Sequence, residues 1–151
     1  MASLKVSYET GTVPQISIQL GTADGFKRVV GEIDSGSTRT LCPLHFLSDL
    51  GLSKADLVKN EKRGAPAVGP EFDTYSANVA ITGQIMIPSP EENDFKPWDK
   101  LFPMDLVFAK TDTLLLGQSD FFRCFDIKFL NGAEDEGTML ELVRCPPPRR
   151  V

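Results

Sequence analysis

In VPQISIQLG, residues 13–21, Ile16, Ile18 and Leu20 alternate with Gln15, Ser17 and Gln19. A period of two is what a strand with one face in a core and the other in water produces, because successive side chains point to opposite faces. After the turn-rich GTADG the chain resumes with FKRVVGEID, so residues 13–34 are predicted to form a hairpin. YSANVAITG puts Tyr75, Ala77, Val79 and Ile81 on one face, and QIMIP reads as the next strand after Gly83. MDLVFA and TLLLG are further candidates. FDIKFL alternates Phe125, Ile127 and Phe129 with polar partners, and TMLELV closes the series across Asn131-Gly132 and AEDEG, a hairpin over about 124–144.

Helical spacing is scarce. PLHFLSDLGL opens on a proline and ends at Gly51, with Leu44, Leu47 and Leu50 near a helical period, and Ser53 with Asp56 can cap one further short turn. The expectation is a mainly β chain of about seven to nine strands and one or two short helices, folded as a closed or partly open β-barrel or a sandwich. Two stretches read as loops: 60–75, with Gly64, Gly69, Pro66 and Pro70, and 87–103, with four prolines and the only tryptophan. The length of 151 residues suits one domain over 1–151.

Composition removes several function classes. A formal charge of -5 argues against nucleic acid or an anionic membrane as partner, since both call for a basic surface. No apolar run nears the roughly 20 residues of a membrane helix, and MASLKVSYETG lacks a signal-peptide core. Cys42, Cys124 and Cys145 are odd in number and form no CxxC pair, so reduced thiols in a cytoplasmic protein are expected and a zinc site is not. His45 is the only histidine, and its pairing with Cys42 lacks an orienting third group, so a packed or surface histidine is the simpler reading. Phosphate-binding glycine loops are absent. The acid pairs Glu91-Glu92 and Glu134-Asp135-Glu136 read as solvated surface.

Asp34 remains. It ends the apolar run of Val29, Val30 and Ile33 and enters Ser35-Gly36-Ser37-Thr38. Hydroxyls and backbone N–H groups around a strand-end carboxylate keep it ionised, and Gly36 permits a sharp turn. Taken alone, an aspartate that merely caps its turn reads equally well. A second stretch, TLLLGQSDFF, is an apolar strand ending at Gly117 before a polar turn. The two in this order, with a Gly/Pro-rich segment between them, resemble the retropepsin-like aspartic proteases over roughly residues 13–125. In that family a D-[ST]-G-[STA] turn follows a strand, a hairpin flap comes next, and an apolar-apolar-Gly segment packs beside the active-site loop. DSGSTRTLCPLHFLSDLGL is similar to the form in retroelement and bacterial members.

The resemblance implies a half-pepsin β-barrel and an aspartic endopeptidase that needs no metal or cofactor. Two carboxylates sharing one proton activate a water and polarise the scissile carbonyl. No second D-[ST]-G turn exists here, so the resemblance implies a homodimer that pairs Asp34 with its copy, acting on a peptide or protein substrate. Ser35 would then brace the two turns, Ser37 would hydrogen-bond the carboxylate, and Gly36 would let the backbone approach substrate. A flap within about 63–75 would use Gly64 and Gly69 as pivots and Val68 or Phe72 as cover, while Leu115, Leu116 and Gly117 pack under the site. The chain departs from viral members at Ser37, usually alanine, and at Gln118, often Arg or Lys. The Asp34-to-Gly117 spacing is longer, with the excess near 87–103, and the final hairpin has no short viral counterpart. The alternatives are a catalytically silent domain that binds extended peptides or partner proteins, and a plain β scaffold with a structural Asp34.

Overall fold

A computed structural model describes residues 3–8, 13–66, 69–131 and 138–145. The strands β1 (Ser3–Tyr8), β2 (Gln15–Gly21), β3 (Phe26–Ile33) and β4 (Thr40–Pro43) come first. Single 3-10 turns follow at Leu44–Phe46 and Lys54–Asp56. Next come β5 (Leu57–Lys59), β6 (Thr74–Ala77), β7 (Ile81–Ser89), β8 (Asp94–Pro97), β9 (Phe102–Met104), β10 (Leu106–Ala109) and β11 (Leu114–Leu116). The short helix α1 (Phe121–Cys124) leads into the hairpin of β12 (Phe125–Asn131) and β13 (Thr138–Arg144).

Most strands share one sheet in the order β5-β6-β10-β4-β11-β3-β2-β7-β8, with β9 alongside β7; a second sheet runs β1-β13-β12. The path has two open ends, so the chain is mainly β and partly open, not a closed barrel. Among the described residues the strands exceed the expected seven to nine, and the helical segments exceed one or two. The reason is length: β5 and β9 have three residues and β8 four, too few for alternation to register.

Alternation held where burial enforces it. Ile16, Ile18 and Leu20 are the buried positions of β2 and pair across to β3 as one hairpin. Three expectations need correction. YSANVAITG is not one strand: the chain leaves the sheet at Asn78–Ala80, where Val79 is exposed, and β7 runs unbroken from Ile81 through QIMIP to Ser89. MDLVFA is split at Asp105, whose N–H is taken by the Asp120 carboxylate at 2.9 Å. Residues 87–103 are not a loop, because β8 folds back on β7 with Pro88 opposite Phe95 and Pro97 opposite Met86. An outermost hairpin tolerates proline, since its missing N–H need not meet a neighbour.

The second sheet is joined to the first through its apolar face and one cation. Leu140 and Leu142 are fully buried, and Phe102, Phe121 and Phe125 stack at centroid distances of 5.1 to 6.3 Å. The Arg144 guanidinium lies 5.6 Å from the Phe102 ring and 5.3 Å from that of Phe125, pairs with Asp99 at 3.6 Å, and donates to the Lys100 and Leu101 carbonyls. No helix among the described residues is long and apolar enough to cross a membrane.

Candidate active site

β3 carries Asp34 to the edge of the core: Ile33 is buried, Asp34 half-buried, and Ser35 and Gly36 lie exposed in the turn that follows. That turn joins β3 to β4, and β11 lies between those two strands. Leu114, Leu115 and Leu116 pair in parallel with Gly31, Glu32 and Ile33, while Leu115 faces Leu41 in antiparallel. The pairing continues into the turn. Asp34 N–H donates to the Leu116 carbonyl at 3.0 Å, Gln118 N–H to that of Ser37 at 2.9 Å, and Ser119 N–H to that of Thr38 at 3.0 Å. The Asp34 carboxylate accepts the Gly36 N–H at 2.9 Å.

Gly117 is where the two segments touch. A Cβ there would lie 2.5 Å from the Arg39 carbonyl carbon and oxygen and 2.8 Å from the Ser37 oxygen, so only hydrogen fits beneath the turn. Its N–H donates to the Thr40 hydroxyl at 3.0 Å. That hydroxyl donates in turn to Asp120, 2.5 Å away, whose carboxylate also accepts the N–H groups of Phe121 at 2.6 Å and Asp105 at 2.9 Å. Asp120 is 3% exposed, caps α1, and ties together β4, β11, α1 and the start of β10. Burial pushes its carboxyl pKa up, and the three hydrogen bonds pull part of the way back.

The sequence reading missed Thr40 and Asp120, although an aspartate just before an apolar pair is a helix-cap signal. Gln118 stands where viral members often carry Arg or Lys. The structure instead has its side-chain amide donating to the Ser35 carbonyl at 2.5 Å, bracing the turn without charge. Ser37 differs from its implied role, because its hydroxyl donates to the Arg39 carbonyl at 2.5 Å and not to Asp34. Thr38 lends its carbonyl to the pairing with Ser119. The structure therefore brings Asp34, Ser35, Gly36, Ser37 and Thr38 together with Leu115, Leu116 and Gly117.

Within 63–75, the described residues on either side of 67–68 pair with each other. Gly64 and Phe72 exchange backbone hydrogen bonds of 2.8 and 2.9 Å, and the Phe72 ring occupies the space that a side chain at 64 would need. Arg63 and Lys59 both pair with Asp73, at 3.1 and 3.5 Å. Gly69 has φ +113°, a conformation other residues rarely adopt, and Val68 lies outside the described residues. No hydrogen bond or ion pair among the described residues joins Gly64, Gly69 or Phe72 to the Asp34 turn. Beside that turn, a cavity of about 330 Å³ is lined by Arg39, Ser76, Val79, Ile81 and Asp105. Arg39 and Asp105 pair there at 2.7 Å.

No protein-family model and no curated protein matches the sequence. Among solved structures, a retropepsin-like aspartic protease from Rickettsia conorii matches with a TM-score of 0.51 at 14% identity, over 94% of this chain and 99% of that chain. The EIAV protease complexed with the inhibitor HBY-793 matches with a TM-score of 0.44 at 13% identity, over 75% and 88% of the two chains. The fold of this chain is retropepsin-like.

Proposed function

We propose that this chain is an aspartic endopeptidase whose active form is a homodimer. The observation that carries the reading is the seat of Asp34. An acidic residue occupies the turn between β3 and β4, held by backbone hydrogen bonds to Leu116 of β11 and from Gln118 and Ser119 just after it, with its carboxyl at the surface of a retropepsin-like fold. Asp120 is buried and accepts three donors, whereas Asp34 accepts one exposed N–H on one carboxylate oxygen, and among the described residues no hydrogen bond occupies the other.

One chain supplies one such turn, so the second carboxylate comes from a second copy. The paired Asp34 groups hold one proton between them. The ionised one draws a proton from a water as that water attacks the scissile carbonyl, and the protonated one donates to the carbonyl oxygen. Substrate lies extended across both copies, with main-chain hydrogen bonds for affinity and side-chain pockets for choice. The cavity between Arg39, Asp105 and Val79 suits one such pocket. The 63–75 segment, including Gly64, Val68, Gly69 and Phe72, serves as the flap that excludes water. Ser35, exposed in the turn, braces one copy against the other. The edge of β1, unpaired among the described residues, offers main-chain groups for pairing with a second copy. We place the protein in the cytoplasm, a compartment that suits three cysteines with no CxxC pair.

The test is cleavage of a denatured protein mixture between acid and neutral pH, beside Asp34→Asn and with the mass in solution measured. Activity in the dimer that vanishes in Asp34→Asn is expected. Cleavage surviving that change would remove Asp34 from the chemistry. Binding of extended peptides by a monomer that never cuts them would favour a silent peptide-binding domain.

A further inference from the structure

Two of the three cysteines stand opposite each other. Cys124 is the last residue of α1 and Cys145 the first after β13. The register pairs Phe125 with Arg144, and the next step along the two chains brings Cys124 to Cys145. Cys145 N–H donates to the Cys124 carbonyl at 2.8 Å, which holds the backbones in that pairing. The Cys124 N–H closes α1 on the Asp120 carbonyl, so one of the two bonds of a hydrogen-bonded ladder position is made here, a position at which Cα atoms stand about 5.5 Å apart. Disulfides span Cα separations of about 4.4 to 6.8 Å. Both thiols are free and partly exposed, whereas Cys42 is wholly buried in β4, beyond the reach of a solvent oxidant. The Cys145 thiol lies 3.4 Å from the Asp126 carboxylate on the flank of the same hairpin.

We propose that Cys124 and Cys145 form a thiol–disulfide modification site, which small disulfides of the glutathione class convert to a reversible bridge between the end of α1 and the end of β13. One protein thiolate attacks a sulfur of the small disulfide and expels a thiolate, leaving a mixed disulfide. The second protein thiolate attacks the protein sulfur of that mixed disulfide and expels the other small thiolate. The balance is two protein thiols and one small disulfide going to one protein disulfide and two small thiols. Burial pushes both thiols above the usual cysteine range, and Asp126 raises that of Cys145 further, while Arg144 pulls both down. Closure is therefore slow near neutrality and quickens as pH rises.

The bridge would close a loop of roughly 20 residues, a length at which cross-linking restricts the unfolded chain appreciably. It would also fix α1, whose cap Asp120 anchors the candidate active-site turn. The inference does not depend on proteolysis.

The test treats the whole protein with oxidised glutathione at alkaline pH and follows intact mass, tryptic maps and thermal unfolding. Arg123 precedes Cys124 and Arg144 precedes Cys145, so trypsin separates the two cysteines unless they are bridged. The expected result is loss of two hydrogens, a linked Cys124–Cys145 peptide, and a Tm rise of about 5–10 °C that a reductant reverses. Cys145→Ser should stop at a single glutathione adduct with no rise. Separate adducts on Cys124 and Cys145 with no link, or a link to Cys42, would overturn the proposal. The wild-type map decides this even where a variant fails to fold.

Discussion

Removing the Asp120 carboxylate tests whether the buried network, and not the turn sequence itself, holds the candidate active site. In Asp120→Ala three donors lose their acceptor: the Thr40 hydroxyl, the Phe121 N–H and the Asp105 N–H. The first two are buried and cost about 1–2 kcal/mol each when unmet, and the partly buried third costs about 0.5–1 kcal/mol. The Phe121 bond is itself the cap of α1, so the three losses together give an expected destabilisation of about 3–4 kcal/mol. Urea unfolding at neutral pH reads it out: with a slope of about 2 kcal/mol/M, the midpoint should fall by roughly 1.5–2 M without change of slope. Asp120→Asn keeps one oxygen for Thr40 and Phe121 but turns an NH₂ toward the Asp105 N–H, so it should fall between, at about 1–2 kcal/mol. The pH response carries a sign. Burial raises the folded-state pKa of Asp120, so between the ordinary aspartate value and that raised value the folded chain binds more protons than the unfolded one. Stability from this group therefore grows as pH falls through the raised pKa and is lost as pH rises through it, the reverse of a salt-bridged aspartate. That trend should vanish in Asp120→Asn. A midpoint shift below about 0.5 M for Asp120→Ala would refute the reasoning, since it would mean the three donors find water instead.

Two further substitutions probe the packing around the site. Gly117→Ala puts a methyl 2.5 Å from the Arg39 carbonyl, so β11 or the turn must shift; a loss of about 2–3 kcal/mol in denaturant unfolding is expected, and peptide cleavage should fall with it. Arg144→Ala removes two ring contacts and a partly buried ion pair that fasten the β1-β13-β12 sheet, so Tm should drop by about 4–8 °C, and Arg144→Lys should recover only a fraction.

What was legible in the sequence followed how local the signal is. The β2–β3 hairpin and the β12–β13 hairpin were readable because alternation and turn residues sit within one short stretch. The Asp34 turn and the LLLG segment were readable as a pair because each is compact. The contact that makes them one site was not. Thr40 meets Asp120 across a separation of 80 residues, and neither residue type announces burial. The break at Asn78–Ala80 escaped because Tyr75, Ala77, Val79 and Ile81 alternate by accident, and only the fold shows Val79 exposed. The Ser37 hydroxyl illustrates a finer limit. A serine beside a carboxylate has several acceptors within reach, and the turn geometry here selects the Arg39 carbonyl.

Two aspartates near the turn are held in different ways, and their amide variants separate the readings of the site. Asp120 is buried, accepts three hydrogen bonds and spans elements remote in sequence, so it holds shape. Asp34 accepts a single exposed N–H on its side chain, from Gly36, and its place is set by backbone bonds, its N–H donating to the Leu116 carbonyl and its carbonyl accepting the Ser37 N–H. An asparagine oxygen can accept the Gly36 N–H equally well, so Asp34→Asn should leave the urea midpoint within about 0.5 kcal/mol of wild type while abolishing cleavage. The structural-scaffold reading expects the reverse ordering, with Asp34→Asn as costly as Asp120→Asn and no cleavage to lose. Measuring stability and cleavage on both variants therefore tests whether the turn was built to place a reactive carboxylate or to close a strand.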